Sequence, residues 1–281
     1  MTSSESPSGA NPKLQIFIPV RNGARFLSAC IQSVLDQTFP GWHLTIQDNC
    51  STDETAQISK GYLRDPRISY LRNEADLGAV GNFNKCLDSL SSDYYCILSH
   101  DDFLCGPDVL AAALEVLESN PEIGVIYSDV KWVDASGSKI GVKRMPFRGQ
   151  IAGPGLGRRS VVEGRNHFGV PLLVRASRLQ GLRYDPSLPL TGDLDFSIAF
   201  AAHAPAFFMP CEAIAIRFHA NNGTMRAFGN ARDEFERLAI KHDLVFSPSE
   251  RIRFRWNLLL NSFKKRLFFF YLDHLRPKGA L

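Results

Sequence analysis

The chain has six cysteines but no C-x-x-C pair, so their spacing supports neither a zinc ribbon nor a thioredoxin-like redox motif. Cys30, Cys50, Cys86, Cys96, Cys105 and Cys211 stand singly, several of them inside apolar runs. That pattern predicts buried reduced thiols and a cytoplasmic setting, not a disulfide frame. A strong charge bias is missing too: 32 Lys and Arg against 29 Asp and Glu leave +3. So small an excess argues against a dedicated nucleic-acid binder, which needs a broad positive field. No window approaches the ~18 uncharged apolar residues of a membrane-spanning helix. The opening MTSSESPSGANPK has no basic segment leading into an apolar core, so a disordered tail over residues 1–12 is expected in place of a signal peptide.

What is present suits one large α/β domain with its own core, since 44% of the 281 residues are hydrophobic and 22% charged. LQIFIPV, residues 14–20, reads as a strand closed by the turn residues Arg21, Asn22 and Gly23. Phe26, Cys30, Ile31, Val34 and Leu35 then recur at helical steps until Pro40 and Gly41 stop them. His43 to Ile46 makes a second strand that leaves Asp48 at its edge, and Ser51 or Thr52 is placed to cap the next helix. Ile68 to Leu71, a loop with Asn73 and Gly78, and a helix from Ala79 to Leu90 repeat the unit. Such alternation predicts a mostly parallel sheet covered by helices.

The stretch YYCILSHDDFL, Tyr94 to Leu104, is an apolar run that ends in Asp101 and Asp102. Ligands of open α/β sheets bind beyond the carboxyl ends of the strands, so paired acids there mark a candidate site. They either cap the helix that follows Gly106 or hold a cation that relieves their mutual repulsion. A helix over VLAAALEVLES and a strand from Ile123 to Tyr127 carry the α/β pattern to about Val133. From Ala135 to Gly164, glycines and basic residues predict a mobile loop acting as a lid or acceptor loop; its GPGLGRR lacks the full spacing of a dinucleotide fingerprint.

Further on, HFGVPLLVRAS predicts a strand, and Ile214 to Phe218 a last one running into His219. Between them, TGDLDFSIAF predicts a buried helix with Asp193 at its start and Asp195 one step further in. Two helices are expected at the end, Asn230 to Val245 and Ser249 to Leu272. In the second, Ile252, Trp256, Leu259, Leu260, Phe263, Leu267 and Phe270 recur at three- and four-residue steps beside Arg251, Arg253, Arg255, Lys264, Lys265 and Arg266. Two readings stay open: a stripe packed on its own domain, or peripheral contact with an anionic membrane surface.

Four of these pieces together resemble the family 2 glycosyltransferases. IFIPVRNGARFLSACIQSVLDQTFPGWHLTIQDNCSTDET looks like the family's opening strand, helix and second strand, and DLGAVGNFNKCL like its third helix. LSHDDFL looks like its DxD region and TGDLDFSIAF like the motif that carries the base. The resemblance implies an α/β GT-A fold, Rossmann-like, with a domain over residues 13–225, split into a nucleotide half (13–133) and an acceptor half (134–225), and a helical extension over 226–281. It further implies an inverting enzyme that takes a nucleoside-diphosphate sugar and passes the sugar to a glycan or lipid-linked acceptor, in cell-surface polysaccharide synthesis.

Carried over by position, the family pattern puts Pro19, Arg21 and Asp48 at the nucleobase and Asn73, Gly78, Asn82 and Asn84 around the nucleotide. Asp101 and Asp102 would hold the ribose and a divalent cation, Mn²⁺ or Mg²⁺, with His219 beside them; which of the two acids binds the metal stays open. Asp193 would be the base that deprotonates the acceptor, with Asp195 in reserve. No nucleic-acid partner is expected. The setting implied is the cytoplasm, with contact at the inner face of the plasma membrane if the last helix docks there. Two rivals remain: an inactive sugar-nucleotide or glycan-binding protein on this scaffold, and a nucleotidyltransferase, for which RNGARF offers little of the required glycine-rich basic loop.

Overall fold

In this computed structural model the described residues are 12–152, 154–219 and 231–270. The expected N-terminal tail, up to residue 11, and the chain just beyond His219 lie outside them.

Strand β1 (Leu14–Val20) is buried at every position, which is why its sequence is apolar without alternation. It pairs in parallel with β2 (Trp42–Asp48) on one side and β4 (Tyr94–Ile97) on the other. Strand β3 (Ile68–Arg72) extends the parallel set beyond β2. Helices α1 (Leu27–Leu35), α2 (Thr55–Gly61) and α3 (Gly78–Asp88) make the crossovers; α1 and α3 fall within a few residues of the expected bounds, and α2 starts after Glu54, not after Ser51 or Thr52. The register sets Val20 opposite Asp48 and Asp48 opposite Arg72, so the loops after β1, β2 and β3 gather at one edge.

The rest of the sheet is mixed. A two-residue strand, β5 (Phe103–Leu104), precedes α4 (Val109–Ser119) and the long β6 (Val125–Val133). Strand order is β3-β2-β1-β4-β9-β6-β10-β5. The short β9 (Leu173–Arg175) joins β4 to β6 and is antiparallel to both. The last strand, β10 (Ala206–Arg217), is much longer than the run from Ile214 expected. It lies parallel to β6 with register shifts on either side of Glu212, next to Pro210, a residue that has no N–H for the ladder.

The segment from Ala135 to Gly164 is not the loop its glycines predicted. It holds β7 (Lys139–Lys143), antiparallel to β6, then β8 (Gly149–Ile151), antiparallel to β10, then α5 (Pro154–Val162). PGLGRR, from Pro154, opens this helix. Its weak intrinsic propensity is offset by packing: Leu156, Val161 and Val162 are buried, and a Cβ on Gly157 would stand 3.1 Å from Ile198, so glycine there lets two helices approach closely. The neighbour is α6 (Gly192–Ala201).

Two apolar clusters lie in the molecule. One gathers β1, β2, α1 and α4 through residues such as Ile16, Leu44, Ile31 and Leu114. The other gathers Phe17, Tyr95, Tyr127 and Phe208 of the sheet with Leu194, Phe196 and Phe200 of α6. Helices α7 (Ala231–Lys241) and α8 (Pro248–Phe270) send Phe235, Leu238, Phe254 and Leu258 into this second cluster, so the described part of the expected C-terminal extension shares a core with α6.

Candidate active site

A cavity of about 490 Å³ opens at the carboxyl edge of the parallel strands. That size suits a small organic ligand. Of the residues anticipated from sequence, Pro19, Arg21, Gly78, Asn82, Asp101, Asp102 and Asp193 line it. Asp48, Asn73, Asn84 and His219 are not among its lining residues.

The floor is a tightly tied pair of loops. Asn22 and Cys50 adopt left-handed backbone angles, φ 50° and 60°, uncommon for residues other than glycine. Cross-links hold them: the Asn22 N–H donates to Ser51 Oγ at 2.9 Å, and the Thr52 N–H donates to Asn22 Oδ1 at 2.8 Å. Asp48 braces the same region. Its buried carboxylate accepts from the Ser51 N–H (2.9 Å), Tyr70 OH (2.6 Å) and Arg72 Nη1 (2.9 Å). The side chain is thus turned toward β3.

Asn49, which the sequence did not single out, is the residue of this strand end that reaches the cavity. Its Oδ1 accepts from the Leu77 N–H at 2.9 Å and from Asn73 Nδ2 at 3.0 Å, while its Nδ2 donates to Asp76 at 2.6 Å. Asn73 also donates to Asn82 Oδ1 (2.9 Å) and accepts from Gln47 Nε2 (2.8 Å). Arg21 closes the array at the cleft mouth through an ion pair with Asp76 at 2.7 Å. The amides are thereby held in one orientation beneath whatever the cavity binds. Asn84 acts elsewhere: its side chain donates to the Tyr184 carbonyl and accepts from the Tyr184 N–H, both at 2.9 Å.

At the end of β4 the two acids have opposite environments. Asp101 Oδ2 accepts from His219 Nε2 at 3.0 Å, and the His219 ring lies 4.7 Å from that of Phe26. Burial works against its charge, but this hydrogen bond and the charges of His100 and His219 outweigh it and hold the Asp101 carboxyl below the usual range. Asp102 is held well above that range, first by burial and then by the charge on Asp101, which Arg217 only partly opposes. Two adjacent acids shifted apart in this way are a signature of a working site.

Arg217, at the end of β10, was missed from sequence although it stands just before Phe218 and His219. Its backbone N–H donates to Asp102 Oδ1 at 3.0 Å and its Nε to the Asp101 carbonyl at 3.0 Å. The guanidinium sits 4.8 Å from the centre of the Phe26 ring and 5.3 Å from that of Phe103. A weakly hydrated, ring-flanked Arg is a cation that tolerates such burial.

Among the described residues no three His, Cys, Asp or Glu side chains form a group able to hold a metal ion. Asp101 and Asp102 nevertheless fit a hard cation that takes part of its shell from phosphate oxygens, because Mg²⁺ is ordinarily bound by one or two carboxylates plus phosphates. Both acids line the same cavity, and the charge of Asp101 works against that of Asp102, a repulsion that a cation would relieve.

Across the cavity, Asp193 occupies the first turn of α6. Water reaches its side chain through the cleft, while the protein packed around it pushes the carboxyl up by burial. It makes no side-chain hydrogen bond or ion pair with another described residue. Asp195, by contrast, is turned away: it accepts from Lys241 Nζ at 2.8 Å and His242 Nε2 at 2.9 Å.

The loop that leads into Asp193 is pinned from outside. One carboxylate oxygen of the buried Glu234, on α7, accepts from the Leu190 N–H (2.9 Å), the Thr191 N–H (2.9 Å) and Thr191 Oγ1 (3.0 Å). Lys241 ties the same helix to Asp185 at 2.7 Å, a contact that holds the Asp185 carboxyl down to about 2. Nothing in the local sequence points to Glu234; it is 43 residues from Thr191.

A parallel set in the order β3-β2-β1-β4, acids at the end of β4 and a further acid on a later helix define a GT-A type transferase fold. The chain belongs to glycosyl transferase family 2, whose model matches residues 15–169. Over 258 residues it is 27% identical to the uncharacterized protein MT1568 of Mycobacterium tuberculosis, covering 86% of this chain and 79% of that one. A shorter match, 35% identical over 92 residues, is to the putative teichuronic acid biosynthesis glycosyltransferase TuaG of Bacillus subtilis, covering 32% of this chain and 36% of that one. Among solved structures it is similar to S. aureus TarS in complex with UDP-GlcNAc, with TM-score 0.68, 16% identity, and 86% and 69% of the two chains covered. The mannosyltransferase PcManGT of Pyrobaculum calidifontis with GDP-Man and Mn²⁺ gives TM-score 0.60 at 14% identity, with 91% and 70% covered.

Proposed function

We propose that this chain transfers a sugar from a nucleoside-diphosphate donor to a hydroxyl of a glycan or lipid-linked acceptor, with inversion, in the synthesis of a cell-surface polysaccharide. The carrying observation is one cavity lined both by the Asp101–Asp102 pair and by Asp193, whose carboxylate has no partner among the described residues. Asp193 takes the acceptor proton, and the hydroxyl oxygen attacks the anomeric carbon in line as the bond to the diphosphate breaks. A raised carboxyl suits this task, since a stronger base accepts the proton more readily.

Arg21, Asn49, Gly78 and Asn82 are assigned to the nucleoside, held by the amide array beneath them; Asp48 serves by bracing the loop after β2 through the Ser51 N–H, Tyr70 and Arg72. Asp101 and Asp102 would hold Mn²⁺ or Mg²⁺ together with the diphosphate, and His219 orients Asp101. The bound cation would neutralise charge on the departing nucleoside diphosphate. Support for this donor class comes from the neighbours solved with UDP-GlcNAc and with GDP-Man and Mn²⁺, and for the polysaccharide role from TuaG. No helix among the described residues is long and apolar enough to cross a membrane.

Thermal shifts with UDP, GDP, CDP and dTDP, each with and without Mn²⁺, test the donor site: one of them should stabilise the protein, most with metal. Failure of all four would sink the reading. Asp193→Asn should keep that shift and lose roughly 10³-fold in turnover.

A further inference from the structure

Among the described residues, the large apolar side chains left exposed are concentrated at the C-terminal helices. Leu63, Leu71 and Leu77 are scattered, whereas Ile240, Val245, Ile252, Trp256, Leu259 and Phe263 all belong to α7, α8 and the turn between them, each more than 60% exposed. Helix α8 has two apolar faces. One is anchored: Phe254 and Leu258 are buried, Asn257 donates to the Val162 carbonyl, and Asn261 donates to the carbonyls of Glu163 and Gly164. At about 100° per residue, Ile252, Trp256, Leu259 and Phe263 fall on the opposite face as a single ridge.

Basic residues flank that ridge. On the same geometry Arg251 and Arg255 lie to one side and Arg253 to the other; all three are exposed, and none has an acidic partner among the described residues. The first two also border an open hollow with Ile240 and Val245, so charge and apolar surface are continuous there. In sequence the helix adds Lys264, Lys265 and Arg266, against Glu250 as its one acid. Glu250 is already committed to Arg158 at 2.8 Å.

We propose that this ridge docks on the interface of an anionic lipid bilayer, with α8 lying in the membrane plane. The apolar side chains enter the boundary between headgroups and acyl chains, and the guanidinium groups meet lipid phosphates. Charge selects this occupant over a second copy of the chain. Two α8 helices paired about a two-fold axis would bring the same basic flanks together, whereas an anionic surface complements them.

Binding is read without donor or turnover, so it stands or falls separately from the transferase reading. The full chain is sedimented with phosphatidylcholine vesicles containing about 30% phosphatidylglycerol and with phosphatidylcholine alone; partitioning should favour the anionic vesicles by roughly tenfold or more and weaken in 0.5 M salt, about the level at which screening is severe. Trp256 emission should shift to the blue on binding. The double variant Trp256→Ser/Leu259→Ser, which alters exposed positions only, should lose about tenfold in binding while keeping the native Tm and circular dichroism spectrum. Three results overturn the proposal: native protein left in the supernatant, a variant that binds like native, or a native dimer that the variant dissociates, which would assign the ridge to a second copy.

Discussion

The donor side and the side that carries Asp193 hold their functional groups in different ways. On the donor side each side chain is fixed by its neighbours at adjacent strand ends: Asp48 by Tyr70 and Arg72, Asn49 by Asn73 and Leu77. The parallel ladder itself brings these together. Around Asp193 no ladder does so; the helix start is held by Glu234 on α7, a helix that follows later in the chain. On the proposed roles, the donor-binding groups are built by local alternation of strands and helices, while Asp193, the proposed base, is positioned by a long-range contact.

Removing that contact breaks the contrast most sharply. Glu234→Gln replaces one carboxylate oxygen that accepts three hydrogen bonds with an amide oxygen, and bonds to charged acceptors are worth ~1.5–3 kcal/mol. Turnover is expected to fall roughly tenfold or more with the donor dissociation constant unchanged. Steady-state kinetics beside calorimetric titration of the nucleoside diphosphate separates the two; an equal loss of donor binding would show that the halves are not independent.

A smaller effect concerns pH. Burial raises the Asp193 carboxyl, so it takes up a proton, and ceases to be a base, at a higher pH than an ordinary aspartate. The acid limb of the turnover profile should lie above that of an ordinary aspartate. A limb at the ordinary value would mean that the carboxyl is not perturbed as placed here.

The smallest expected change is on the donor side and is a gain. The folded protein raises the Asp102 carboxyl, so the fold binds its proton more tightly than the unfolded chain does. Stability from this group is present at acid pH and is lost as pH rises through the folded value. Asp102→Asn should accordingly raise Tm by about 1–3 °C in metal-free neutral buffer, a gain that shrinks toward the acid side, in differential scanning calorimetry. The same variant should lose its response to Mn²⁺.

The parallel part of the sheet was largely legible in the sequence because its signals are local. LQIFIPV is apolar throughout because both faces of β1 are covered, and its bounds match residue for residue. What escaped was set at a distance. Helix α5 carries Pro154, Gly155 and Gly157, poor helix formers that α6 and α8 compensate by packing. Strand β10 was seen only from Ile214 because Pro210 interrupts its pattern while β6 keeps the pairing. At the site, the prominence of Asp48 as an acid hid the fact that the next residue, Asn49, faces the cavity. Arg217 and Glu234 act through contacts over 115 and 43 residues, beyond the reach of any local pattern.

The grip of α7 on Thr191 also sets an order of events during synthesis. The hydrogen bonds that fix Asp48 and Asn49 all come from residues up to Gly78 in the chain, so they are available early in synthesis. A chain halted before Ala231 has made Asp193 but not the latch that fixes it, since Glu234, Lys241 and His242 are still to come. On the proposed reading, completion of the polypeptide is what ties down the acceptor side of the cavity.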